Sequence, residues 1–176
     1  MIPSWLSISC ILGLVSHHVL HVLNMKTGLE GVNYYAEVHQ SKWNSYIHTL
    51  GMPFTIYGML LWIPALCGLK STDAHRLQKC SYIVYGIHYI LICPKIGFLY
   101  GLFYGIPTWL AIRTYHSGQK RSLLFRNGLV IAFGALLFQE VVGHYGGGDQ
   151  PSRLEGILNA ILYAMYYSLS HVMDIF

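Results

Sequence analysis

Ten histidines stand in a chain of 176 residues that carries only 11 basic and 7 acidic side chains. Imidazoles embedded in apolar sequence can hold a metal, move protons or sit at a membrane interface, so their spacing is the first thing to read. In YYAEVHQSKWNSYIHTLGMP, residues 34–53, Tyr35, His39, Asn44 and His48 fall four, five and four apart. On a helix Tyr35 and His39 share a face, as do Asn44 and His48. The plain alternative is an interfacial amphipathic segment with its aromatic and imidazole rings at headgroup level. In FQEVVGHYGGGDQPSRLE, residues 138–155, Glu140 and His144 are four apart at the end of an apolar run, so carboxylate and imidazole can address one centre. A glutamate in such a run is costly and marks function by default, against the alternatives of a structural Glu–His pair or a side chain that snorkels outward. Gly146 to Gly148 are followed by no G-K-[ST], which excludes a phosphate loop; they break the helix and let the backbone approach a site.

A third group, HHVLH at 17–21, gives His17 and His21 the spacing by which two imidazoles share a metal, while His18 points elsewhere. Membrane di-iron hydroxylases need several such boxes and this chain has one, so that class is excluded. His17 and His21 are then either supports of a centre formed elsewhere or interfacial residues. His88, between Tyr85 and Tyr89, reads as a packed ring, His75 and His116 as solvated loop residues, and His171 is open.

These groups must be positioned by membrane helices. With 54% hydrophobic and 10% charged residues, a water-soluble domain could not cover its surface with polar groups. Four stretches approach the roughly 20 apolar residues that span a bilayer: Pro3–Leu23, Leu50–Leu69, Leu123–Val142 and Leu154–Phe176. Tyr82–Ile112 is too long for one straight span and has Pro94-Lys95 near its middle, which predicts a helical hairpin or a broken helix. The expected fold is all-α, a polytopic membrane bundle of about five to six apolar helices in a single integral membrane domain covering residues 1–176. The N-terminal run lacks a basic leader and bears His17, His18 and His21, so it reads as a retained helix rather than a signal peptide. Cys10, Cys67, Cys80 and Cys93 are scattered without a C-x-x-C pair and are expected to be buried, inert thiols.

The formal charge of +4 comes from loops beside the membrane and suits anionic headgroups; it does not indicate nucleic acid. Lys70, Arg76 and Lys79 lie in one loop, and Arg113, Lys120, Arg121 and Arg126 in another, with Asp73 the only opposing charge. The positive-inside tendency puts both loops, and with them both termini, in the cytosol. Counting Tyr82–Ile112 as an even number of crossings, His39, His48 and His144 then share the opposite membrane level, and the histidine end of the first helix joins them.

Two of these motifs, in order, resemble the 2-hydroxy-fatty-acid dioxygenase family, small iron-dependent membrane enzymes of the endoplasmic reticulum that act in fatty-acid alpha-oxidation. Its first pattern is matched by His39, Asn44, Ile47-His48 and Pro53, and its second by Gly143-His144, Asp149, Pro151, Glu155 and Asn159. The likeness covers roughly residues 34–60 and 135–170. Glu140 departs from it, since the family usually has glutamine there, and the loop from His144 to Pro151 is shorter by one residue and rich in glycine.

The resemblance implies an oxidoreductase using Fe(II) and O₂. His39, His48 and His144 would be metal ligands; the helix of His17 and His21 has no counterpart in the family, and those two are candidate further ligands on their spacing alone. Of the matched residues, Asn44 would be catalytic and Asp149, Glu155 and Asn159 would bind substrate; from their place in the same segments Tyr35 and Glu140 join the catalytic set, Glu140 as a fourth ligand or a support of His144, and Arg153 joins the substrate set. The substrate would be a 2-hydroxy fatty acid, shortened by one carbon, with its tail among lipid-embedded helices and no protein partner implied. A haem protein using facing histidine pairs and a non-enzymatic metal or proton transporter are the competing readings.

Overall fold

The computed structural model describes Trp5 and residues 29–37, 39–150 and 157–173. Apart from Trp5, the expected first span, Pro3–Leu23, and with it His17 and His21, lies outside the described residues, as do Arg153 and Glu155. The described chain forms six helices and, among the described residues, no strand. They are α1 (Leu29–Glu37), α2 (Lys42–Leu66), α3 (Ser71–Ile92), α4 (Pro94–His116), α5 (Arg121–Phe138), which runs on as a π-helical segment (Gln139–Tyr145), and α6 (Ile157–Met173).

The all-α expectation holds, and its count of spans narrows. Two helices, Lys42–Leu66 and the continuous Arg121–Tyr145, are long and apolar enough to cross a membrane. The other described helices do not reach that standard; α3, for instance, opens on the polar run STDAHRLQK. Within Tyr82–Ile112 the chain breaks where expected. Cys93 is extended (φ −152, ψ 111), Pro94 starts the next helix, and α3 and α4 pack along each other as a hairpin. Proline at the first position of a helix loses no hydrogen bond there, and it disfavours helical geometry in the residue before it.

The span read as Leu50–Leu69 starts eight residues earlier, at Lys42. Lys42, Trp43, Asn44 and Ser45 carry no apolar period, so the motif looks like a prelude to the helix, yet it forms the helix's first turns. Pro53 consequently lies inside α2, where helix-breaking residues are tolerated if neighbours satisfy the freed carbonyl.

Packing between α2 and α5 sets the level of everything at their ends. The two backbones meet at small residues. A Cβ on Gly58 would stand 2.5 Å from Ala132 N and 2.6 Å from Gly128 O, and one on Gly128 would stand 2.6 Å from Trp62 N. Close contact of this kind is how helices associate where lipid is as apolar as leucine. Away from the core, Leu50 and Phe54 of α2 and Val130, Phe133, Leu137 and Val141 of α5 and its extension are exposed. Cys67 is exposed, and Cys80 and Cys93 are half-buried, so the three described thiols are not the buried residues that their apolar neighbours suggested.

Candidate metal centre

At one end of the α2–α5 pair three imidazoles meet. His39 follows α1, His48 lies in the second turn of α2, and His144 lies in the π-helical segment; their ligating atoms all fall within 4.8 Å of one another. All three are buried, His144 completely. His48 Nε2 and His144 Nε2 are 3.3 Å apart, inside the range of about 3.0–3.4 Å expected for two nitrogens bound at about 2.1 Å to one ion. Ring centroids are 4.7 Å apart for His39–His48, 4.6 Å for His39–His144 and 5.2 Å for His48–His144.

What surrounds the rings decides which nitrogen faces inward. His39 Nδ1 donates to Tyr35 O at 2.8 Å, so its Nε2 carries the lone pair, and that atom is buried without a hydrogen-bond partner. His144 Nδ1 has two neighbours, Gln150 O at 2.6 Å and Asn44 Nδ2 at 3.3 Å. The carbonyl can only accept and is far closer, so the proton sits on Nδ1 and Nε2 again faces the centre. Burial, above all other influences, pushes the His39 imidazole down to about 4, which keeps it neutral. Neutral imidazoles whose outer N–H is held by a carbonyl, leaving the inner nitrogen bare, are the usual state of metal-binding histidine. His48 Nε2 and His144 Nε2 can share one hydrogen bond, but His39 Nε2 has none, at a cost on the order of 1–3 kcal/mol. A bound divalent transition metal removes that cost, and an all-imidazole set suits Fe, Zn, Cu or Ni. The residues present therefore fit a metal ion.

The supports come from the expected motifs, in roles set by their contacts. Asp149 reaches back to the start of α2, accepting from Ser41 N at 3.1 Å and from Asn44 Nδ2 at 2.8 Å. That carboxylate sits where the helix N-terminus favours negative charge, and it ties the α2 end to the loop whose Gln150 carbonyl holds His144. Asn44 is fully buried, and it comes this close because residue 143 is glycine: a Cβ there would lie 2.6 Å from Asn44 Oδ1. Tyr35 stacks on His39 with centroids 4.0 Å apart. Glu140 Oε1 lies 3.8 Å from His144 Nε2 with the side chain 35% exposed, beside the triad and open to the outside. Asn159 is buried on α6, and no contact joins it to the three rings among the described residues.

Several neighbours escaped the sequence reading. The Tyr167 hydroxyl donates to the His39 carbonyl, and the His171 ring packs edge-on against Tyr167, 4.5 Å away. Trp43 Nε1 donates to Val142 O at 2.8 Å, taking up a carbonyl of the π-helical turn. Gln139, not Glu140, is the residue of that turn buried against α2. A π-helical turn advances its period by nearly one residue relative to an α-helix, and such turns gather at functional sites. The glutamine in an apolar run was the available signal. At the other end of the helices His75 and His116, read as separately solvated, are joined at 3.0 Å, with Ser71 Oγ 2.8 Å from His116 Nδ1. His88 packs on Tyr89 and Tyr163 as expected.

Comparison with protein-family models, with characterised proteins and with solved structures finds no match to this chain.

Proposed function

We propose that this protein is a membrane-embedded, Fe(II)-dependent dioxygenase that shortens 2-hydroxy fatty acids by one carbon. The observation that carries the reading is the buried triad of His39, His48 and His144, whose ligating atoms lie within 4.8 Å of one another. It coincides with the motif residues through which the sequence resembles that family. Fe(II), when bound, supplies a Lewis acid with positions left open for substrate and O₂.

The protein's own residues do the rest. His39 and His144 are held by the Tyr35 and Gln150 carbonyls, so the nitrogens stay aimed as the site fills. Glu140, half-exposed beside the triad, accepts a hydrogen bond from the substrate hydroxyl and orients it, a role that the family's usual glutamine can also fill through its carboxamide oxygen. Tyr35 and Tyr167 close one side of the triad with aromatic rings that exclude water. The atoms close without a separate reductant, since one hydroxy acid and one O₂ give the shortened acid, carbon dioxide and water. The acyl tail lies along the apolar exterior of α2 and α5, where each buried CH₂ contributes about 0.8 kcal/mol.

The same reading gives the site its setting. Exposed Ile83, Ile87 and Leu91 on α3 and Phe98, Leu102 and Ile106 on α4 support reading the hairpin as two additional spans beside the two long helices. The basic loops then face the cytosol, the triad lies at the opposite membrane level, and the endoplasmic reticulum is the expected membrane.

Incubating the purified protein with Fe(II), O₂ and 2-hydroxy fatty acids of even length is expected to yield odd-chain acids by mass. Absence of any shortened acid across the series contradicts the assignment. The haem alternative fits poorly, because a third imidazole stands within 4.7 Å of each of the other two, leaving no plane for a porphyrin between a facing pair. Transport fits less well than chemistry because the three rings gather at one end of the two long helices.

A further inference from the structure

Two of the three imidazoles have an obvious acceptor on Nδ1; His48 has no backbone carbonyl in that role. Its Nδ1 is buried without a hydrogen-bond partner, and the same is true of Gln139 Oε1. Gln139 lies against Gly51, three residues on from His48 along the same face of α2. We propose that Gln139 is the positioning residue of His48: its carboxamide oxygen accepts the Nδ1 hydrogen and leaves the Nε2 lone pair directed into the triad. The inference rests on the metal-centre reading and extends it to a residue that the sequence motifs passed over.

The amide has only one way to lie. Gln139 Nε2 donates to Thr55 Oγ1 at 2.9 Å and to Ala135 O at 3.0 Å. Ala135 O can only accept, so a flipped amide would set two acceptors against each other there. With both N–H groups committed, Oε1 is the end left for His48. Thr55, itself anchored to Gly51 O, thus fixes Gln139, which fixes His48.

Space for this arrangement is built into α2. A Cβ on residue 51 would stand 2.6 Å from Gln139 Cγ and 2.8 Å from Cδ, so glycine is what allows the amide to lie there. A leucine at 139 would fill similar volume in an apolar helix without the cost of burying an amide. The chain instead buries one almost completely, at 1% exposure, in the turn whose π-helical geometry turns it inward.

The test uses the full chain in detergent and Co(II) as probe, reading its dissociation constant and visible absorption, with helical content and melting of the metal-free protein followed in parallel. Gln139→Leu is expected to weaken Co(II) binding by about 10 to 100-fold and to shift its visible bands, as loss of an outer hydrogen bond to a ligand does. Gly51→Ala is expected to act in the same direction by displacing the amide. Gln139→Glu keeps an acceptor oxygen and should remain within a few-fold of wild type. Wild-type affinity and spectrum in both Gln139→Leu and Gly51→Ala, with Co(II) lost from His48→Ala, overturn the role of Gln139 and leave the metal centre standing. Lost helix in Gln139→Leu with unchanged Co(II) binding in Gly51→Ala makes Gln139 a structural residue and overturns it too. Equal Co(II) binding by wild type and by the His39→Ala, His48→Ala and His144→Ala proteins overturns both the inference and the centre it rests on.

Discussion

Imidazoles meet at both ends of the α2–α5 pair. His48 and His144 come within 3.3 Å at one end, and His75 and His116 within 3.0 Å at the other, roughly five turns of α2 away. By distance alone the second pair is the better candidate. Yet His75 and His116 form an exposed contact in which one ring can donate to the other, and Ser71 satisfies the far side. Basic residues crowd the same loops, which disfavours a cation. In the triad the rings are buried, a third nitrogen joins them, and the outer N–H of His39 and of His144 is bound to a carbonyl. Closeness of two histidines therefore says little; desolvation and fixed outer protons make a centre out of neighbours.

That contrast is broken most severely by removing a triad ring. His39→Ala, His48→Ala or His144→Ala is expected to lower Fe(II) affinity by at least about 100-fold and to abolish turnover, because an open three-nitrogen site has no ligand to spare; metal analysis of the purified variants reads this directly. Asp149→Ala unties the α2 start from the His144 loop. It leaves Ser41 N and Asn44 without their acceptor, at a cost of about 1–3 kcal/mol seen as a lower Tm, with Fe(II) affinity down about tenfold. Glu140→Gln, which places the family's usual residue there, tests whether the carboxylate holds the metal. Iron content and turnover should both stay within a few-fold of wild type, because the carboxamide oxygen still accepts a hydrogen bond. At the opposite end His75→Ala and His116→Ala should leave iron content and turnover unchanged and cost less than about 0.5 kcal/mol. A loss of iron there comparable to that of a triad variant would erase the distinction between the two clusters.

How far the sequence carries this picture depends on the kind of signal. Helix type and the break at Pro94 were legible, because apolar length and proline geometry act locally. The approach of His39, His48 and His144 followed from counting crossings, which is a global argument but a simple one. The start of α2 is hidden because Lys42, Asn44 and Ser45 are polar, and the acceptor for the Ser41 N–H at its start is Asp149, more than a hundred residues later. Gln139 was hidden for a different reason. Reading the helix with an α period points to Glu140, four before His144, and only a π-helical turn exchanges it for its neighbour. His75 and His116 looked solvated because nothing local in either loop foretells that the α3–α4 hairpin will bring them together.

The central claim, that three imidazoles hold one metal ion, is tested most directly by X-ray absorption at the iron edge of the Fe(II)-loaded full-length protein. The expected spectrum has a first shell of about three imidazole nitrogens completed by oxygens, with no sulfur scatterer and one iron per chain. A shell dominated by thiolate sulfur, a porphyrin signature, or iron bound only through oxygen would contradict the centre formed by His39, His48 and His144.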